Sequence, residues 1–142
     1  MTIKQISVFV ENKEGRLAEI TNVLAENQID IRALSIADTT DYGILRLIVN
    51  DPEKAVKVLK EAKLTVSPTD VLAVGVDDTP GGFAKAIGVL SEAKIGVEYA
   101  YAFVTPTVGK AYVILRVNDN DLAAKALEDA GFEPLNQSEL FS

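Results

Sequence analysis

The sequence predicts an α+β fold built from two copies of one strand, helix, strand, strand, helix, strand unit. Two observations carry this expectation. Gly15-Arg16-Leu17-Ala18 through Val23-Leu24-Ala25-Glu26 and Ile29 recurs 66 positions later (81 minus 15) as Gly81-Gly82-Phe83-Ala84 through Val89-Leu90-Ser91-Glu92 and Ile95. Val49-Asn50-Asp51, Ala55, Lys57, Leu59 and Ala62 return 68 positions later (117 minus 49) as Val117-Asn118-Asp119, Ala123, Lys125, Leu127 and Ala130. The change of offset means that the second copy gained two residues between its halves, and such a gain belongs in a loop.

The elements of the first copy follow from apolar spacing. Ile3 to Val10 alternates, with Ile6, Val8 and Val10 on one face and Gln5 and Ser7 on the other, the period of a strand. After the Glu11-Asn12-Lys13-Glu14-Gly15 turn, Leu17, Ile20, Val23 and Leu24 form one helical stripe within Gly15 to Asn27. Ile29 to Ala37 and Ile44 to Val49 are rich in β-branched residues and flank the turn-forming Asp38-Thr39-Thr40-Asp41-Tyr42-Gly43, so they read as a hairpin. Asp51 suits a helix cap and Pro52 the first helical position, with Val56, Leu59 and Ala62 continuing a single face. Leu64 to Val66 begins the closing strand.

The second copy repeats this order. A strand over Val71 to Val76 precedes a helix on Phe83, Ala86, Ile87, Leu90 and Ala93. Val97 to Val104 and Ala111 to Val117 enclose the turn Thr105-Pro106-Thr107-Val108-Gly109, where the two extra residues fall. A helix from Asp119 to Ala130 stops at Gly131, and Phe132 to Leu140 holds the closing strand. This is the ferredoxin-like split βαβ order, with antiparallel sheets and the helices on one face. Residues 1–68 form one domain and 69–142 the other; only Ser67-Pro68-Thr69-Asp70 separates them, which predicts one joined side-by-side unit rather than two freely swinging domains.

Composition excludes several functions. A chain of 142 residues, 48% hydrophobic and 25% charged, can bury a core without staples. It has no cysteine and no histidine, which removes disulfides, thiolate chemistry, the commonest general base and the commonest transition-metal ligand. No catalytic residue, metal site or cofactor is expected. The net charge of −7 opposes counterion-releasing contacts with phosphates, so nucleic acid is not an expected partner. Apolar runs are strand-length and Met1-Thr2-Ile3-Lys4 leads straight into a strand, so neither a membrane span nor a signal peptide is expected and the location reads as cytoplasmic.

The glycine loops carry a family resemblance. Asp78-Thr79-Pro80-Gly81 matches the Asp-x-Pro-Gly loop of the ACT domain, a small regulatory module that binds amino acids, and Asn12-Lys13-Glu14-Gly15 stands at the same place without the proline. Occurring at equivalent points of two βαββαβ units, these loops make the chain resemble a tandem ACT protein of the kind that has no catalytic domain; Asp38 to Leu47 is similar to such proteins too. The resemblance implies an amino-acid effector at the seam between paired units. The residues carried over by position are Asn12, Lys13, Glu14, Gly15, Arg16, Leu17, Ser35, Ile36 and Ala37 in the first copy. Their counterparts are Asp78, Thr79, Pro80, Gly81, Gly82, Phe83, Tyr101, Ala102 and Phe103. Physical chemistry supports the place: helix N-termini leave unpaired amides and partial positive charge for a carboxylate, and glycine allows close approach. Asn12 or Asp78 can then meet an α-amino group. Turn geometry and helix packing would also account for Gly15, Gly81 and Gly82 on their own. Gly82 replaces Arg16, so the copies are expected to differ in ligand competence.

Other features have plainer readings. Tyr99, Tyr101 and Phe103 make an aromatic stripe where the first copy has Ala33, Ser35 and Ala37; it reads as packing or an interface before a ligand wall. Arg46 and Arg116 interrupt apolar strands and read as solvated. Ile44 and Ile48 share the face of Arg46, so apolar residues lie on both sheet faces and predict a homodimer or higher oligomer. Ser91-Glu92-Ala93-Lys94 spells Ser-x-x-Lys without the motifs that make it catalytic. Asp119-Asn120-Asp121 starts like a calcium loop but continues Leu122-Ala123, so helix capping explains it better. Thr79-Pro80-Gly81-Gly82 lacks the Gly-Lys-Ser/Thr run of a nucleotide loop. The expected function is a non-catalytic amino-acid sensor that acts on a separate metabolic enzyme; the rival is a structural or interaction subunit that binds no metabolite.

Overall fold

A computed structural model of the chain describes residues 2–38, 41–103 and 108–139. Those residues form β1 (Ile3–Glu11), α1 (Arg16–Glu26), β2 (Ile31–Asp38), β3 (Tyr42–Val49), α2 (Pro52–Glu61), β4 (Val66–Asp77), α3 (Gly82–Glu92), β5 (Val97–Phe103), β6 (Lys110–Val117) and α4 (Asn120–Asp129). Thr39-Thr40, Val104-Thr105-Pro106-Thr107 and Leu140, assigned above to two turns and two strand ends, lie outside the described residues. The chain divides into two compact units, Lys4–Thr69 and Asp70–Ser142 with Met1–Ile3.

In the Lys4–Thr69 unit, β3 lies between β1 and β2 and pairs antiparallel with both, Val8 opposite Leu45 and Leu34 opposite Leu47. Alternation turns Ile6, Val8, Leu45, Leu47 and Val49 to one face, where they meet Ile20 and Leu24 of α1 and Ala55 and Leu59 of α2. Each helix buries only part of the stripe that its spacing predicts: Ile20 and Leu24 of α1 are buried and Val23 half-buried while Leu17 is exposed, and α2 buries Leu59 with Ala55 in place of Val56 and Ala62. The Phe9 amide donates to the Thr65 carbonyl at 2.9 Å, which sets the closing segment beside β1.

The Asp70–Ser142 unit repeats the plan, with β6 between β4 and β5. Leu72, Val74, Val113 and Leu115 pack on Ala86 and Leu90 of α3 and on Ala123 and Leu127 of α4. Of the closing strand expected over Phe132 to Leu140, the described residues 132–139 form almost nothing. It shrinks to one bridge, Pro134 to Val74, and a Leu135 amide to Ala73 carbonyl bond of 2.7 Å. Proline has no N–H to extend the ladder, and the Asn136 Oδ1 then accepts from Ser138 Oγ and the Glu139 amide, turning the chain away.

The separator expected at Ser67 to Asp70 is strand as well, because β4 runs through it. Pro68 is exposed and needs no ladder donor there. The Asp70 carbonyl is held by Arg116 Nη1 at 3.1 Å and Asn120 Nδ2 at 3.2 Å. Arg116 also pairs with Glu98 at 3.3 Å, so it is a fastening residue and not the solvated arginine expected from its strand position. Ile48 departs from expectation too, being fully buried, so Ile44 alone of that pair stays open.

The four helices start in two ways. Asp51 accepts from the Lys54 amide and Asp119 from the Leu122 amide, capping α2 and α4 as their sequences predict. Helices α1 and α3 instead follow Gly15 at φ +83° and Gly81 at φ +88°, with no side-chain cap. Only glycine adopts this left-handed turn without strain. Gly82 is required for another reason, since a Cβ there would lie 2.0 Å from the Asp77 carbonyl oxygen.

Two glycines of α3 should therefore respond oppositely to alanine. Gly82→Ala is expected to lower unfolding free energy by roughly 1–3 kcal/mol through overpacking. Gly88→Ala, which meets nothing within 4 Å, should raise it by about 0.5–1 kcal/mol through helix propensity. Urea melts of both variants check the pair; equal signs would contradict the close approach of α3 to Asp77.

Candidate functional site

Each unit has an open cleft where its first strand ends. In the first, β1 delivers Val10 and Glu11 and the loop delivers Asn12 and Lys13. Leu17 of α1, Ile36 of edge strand β2 and Gly43 of β3 close it, around a volume of about 150 Å³. In the second, Val76, Asp77, Asp78, Thr79, Phe83, Ala102 and Ala111 stand at the seven equivalent positions. Ala100, Tyr101 and Val113 complete that cleft, whose volume is about 350 Å³. The equivalence follows from register: Val10 pairs with Gly43 as Val76 pairs with Ala111.

The side chains that make these walls are open to ligand. Leu17 and Phe83 are both 43% exposed and Ile36 is 48% exposed, although each is apolar. The floor is tied down by backbone bonds: the Asn12 amide donates to the Asp41 carbonyl at 2.9 Å, and the Asp78 amide to the Gly109 carbonyl at 3.1 Å. Gly15 and Gly81 offer no side-chain oxygen to the first turns of α1 and α3; the first amide of each helix donates instead to a loop carbonyl, Arg16 to Lys13 at 3.3 Å and Gly82 to Thr79 at 3.0 Å, and the next amides face the cleft loops without a side-chain cap.

An acidic residue ends each first strand, and each is neutralised differently. Glu11 pairs with Lys13 at 3.0 Å and more distantly with Arg16 at 3.9 Å. The Lys13 hydrogen bond, assisted by the charges of Lys13 and Arg16, holds its carboxyl below the usual glutamate value. Asp77 takes its lysine from β6, Lys110 at 2.9 Å. That hydrogen bond and charge, with Lys85 adding a smaller attraction, hold Asp77 below the ordinary aspartate value and raise Lys110.

The structure brings together part of the residue set drawn from sequence. Asn12, Lys13, Leu17 and Ile36 line the first cleft, and Asp78, Thr79, Phe83, Tyr101 and Ala102 the second. Glu14, Gly15, Pro80 and Gly81 form the turns behind them, and Arg16 pairs with Glu19 at 3.1 Å on the helix surface. Gly82 lines a neighbouring cavity beside Lys85 and Lys110. Ser35 and Ala37 stand opposite Arg46 and Ile44, and Phe103 opposite Tyr112, on the sheet face away from the helices. The aromatic stripe also lies there, with Tyr99 and Tyr101 centroids 6.5 Å apart and Phe103 5.2 Å from Tyr112. Residues missed from sequence are Val10, Glu11 and Gly43 with their counterparts Val76, Asp77 and Ala111, together with Ala100 and Val113. Strand alternation already turned Val10 and Val76 toward the helices and was the available signal.

Comparison with known proteins decides the family. A family profile described as an ACT domain pair matches residues 1–140. The chain belongs to the ACT domain pair family. ACT domains are regulatory, and the fold is the two-unit ferredoxin-like arrangement of elements that the sequence predicts. Among solved structures, protein BT0572 from Bacteroides thetaiotaomicron is 41% identical, with a TM-score of 0.93 over 100% of this chain and 97% of that one. The ligand-free regulatory subunit of aspartate kinase from Thermus thermophilus shares the fold at 16% identity and TM-score 0.65, covering 90% of this ACT pair and 92% of that chain. The aspartate kinase of Clostridium acetobutylicum shares it at 17% identity and TM-score 0.56 over 89% of this chain, but only 32% of that longer enzyme. No curated protein matches. Among the described residues of this ACT pair, no helix is long and apolar enough to cross a membrane.

The Asp77 to Lys110 pair gives a pH signature. A carboxylate whose folded value is depressed stabilises the fold above its unfolded value and loses that contribution as pH falls through the folded one. The Asp77 carboxyl carbon, followed by NMR, is expected to titrate below 3.8, and Lys110→Ala should return it toward that value. An unchanged midpoint in the variant would show that Lys110 is not the cause.

Proposed function

We propose that the protein is a non-catalytic regulator that binds a free amino acid in the clefts of its ACT units and passes that state to a separate metabolic enzyme. The observation that carries the reading is the recurrence of all seven positions of the first cleft in the second. A ligand carboxylate would lie at the uncapped start of α1 or α3, its ammonium near Asn12 or Asp78, and its side chain between Leu17 and Ile36 or between Phe83 and Ala102. Membership of a regulatory family supports this chemistry.

Edge strands β2 and β5 border the clefts, so a second copy of the chain docked there would complete them, and we propose a homodimer on that ground. Amino-acid binding must then be tighter in one arrangement of the dimer than in another, because a ligand shifts an equilibrium only by its differential affinity. One observation favours the interaction-subunit reading as well. Leu34 is 55% exposed on β2 without lining a cleft, as a docking strand would be.

A thermal-shift panel of all amino acids at millimolar concentration, with calorimetry on positives, separates the readings. A ligand at a hundred times its dissociation constant stabilises by about 2.7 kcal/mol, or several degrees for a chain of this size. The expected result is a selective shift that Asn12→Ala or Asp78→Ala removes. No shift across the panel in a folded dimer would leave the interaction subunit.

A further inference from the structure

We infer that the two clefts of one chain sort amino acids by side-chain size, and that Ile36 and Ala102 set the sorting. This rests on the amino-acid reading above and specifies it. On the edge strands, Ile36 faces the helices opposite Leu45, and Ala102 does so opposite Val113. Two residues back on the same face, β2 carries Leu34 and β5 carries Ala100. The second strand has thus lost both branched side chains that stand beside the first cleft.

Two other exchanges work the opposite way. Phe83 replaces Leu17 and Ala111 replaces Gly43, and both add carbon to the second cleft. That cleft is nonetheless the larger, about 350 against about 150 Å³. The edge strand therefore decides the room available, and the helix does not.

The chemistry of the walls agrees with the size. Around the second cleft, Asp77 and Asp78 supply two carboxylates, and Lys110 pairs with Asp77 alone, which suits an ammonium at Asp78. Phe83 offers a broad apolar wall for a branched or aromatic side chain. In the first, Lys13 and Arg16 surround Glu11, and Leu17 and Ile36 leave space for no more than a small side chain. The second cleft takes leucine-sized and phenylalanine-sized amino acids; the first takes glycine and alanine.

Titration of 15N-labelled protein with L-leucine, L-phenylalanine and glycine tests this. Leucine and phenylalanine are expected to move the amide resonances of Asp78, Thr79 and Ala102 and to leave those of Asn12, Lys13 and Ile36 in place, whereas glycine moves the latter set. Ala102→Ile should weaken leucine roughly tenfold or more, the discrimination one or two methylenes give in an apolar pocket, without affecting glycine at Asn12. Ile36→Ala should let leucine reach the first cleft. Both positions lie outside the core clusters, so the variants are expected to fold. Leucine moving both sets equally, or keeping its affinity in Ala102→Ile, would overturn the sorting while leaving amino-acid binding intact. No amino acid moving either set would overturn amino-acid binding, and the sorting with it.

Discussion

The left-handed backbone at Gly15 and Gly81 is the constraint on which both units depend. With φ at +83° and +88°, the chain leaves its first strand and enters a helix within a few residues. That turn supplies no capping side chain, and the first helix amide donates instead to the loop carbonyl of Lys13 or Thr79, in contrast to the Asp51 and Asp119 starts of α2 and α4. It also fixes the helix phase. Ile20 and Leu24, or Ala86 and Leu90, fall on the sheet, and the second helical residue, Leu17 or Phe83, is left over the strand end. One turn thus sets the core stripe, the start of the helix and the apolar wall of the cleft.

The two copies kept that turn and diverged around it. In the second, α3 approaches Asp77 so closely that Gly82 admits no side chain, while the first places Arg16 there and turns it outward to Glu19. The strand-ending carboxylate is neutralised within its own loop by Lys13 in one copy and across the sheet by Lys110 in the other. Each solution keeps the acidic residue charged beside the cleft, though the sequence neighbours differ. Duplication with such compensation keeps the place of a site while freeing its size and chemistry to change.

The helices, their two aspartate caps and the glycine turns were legible because each depends on residues close in sequence: three- and four-residue stripes, Asp51-Pro52, Asp119, Gly15 and Gly81. What depends on pairing across strands was not. Ser67 to Asp70 has turn-forming composition, yet its carbonyl at Asp70 is captured by Arg116 and Asn120 from about fifty residues away, and the segment extends as strand. Pro134 and Asn136 end the last strand where its apolar pattern continues. In the cleft, the loop residues were readable from their motif. The opposite wall was placed on Ser35 to Ala37 and Tyr101 to Phe103 as whole segments; Ile36, Tyr101 and Ala102 line the clefts and Ser35, Ala37 and Phe103 do not, because the face of an edge strand is set by its register with β3 or β6. Glu11 was read as a turn residue and Asp77 was given no role; both become wall residues only when the hairpin folds beside them.

The central claim is that both glycine-started helices serve one kind of site. A crystal structure of the chain grown with an amino acid that stabilises it tests this most directly. Ligand density is expected in a cleft of the ACT unit, with the carboxylate at the first turn of α1 or α3 and the ammonium within hydrogen-bond reach of Asn12 or Asp78. Density in the cavity lined by Gly75, Lys85, Lys110 and Tyr112 instead, with both clefts empty, would contradict it.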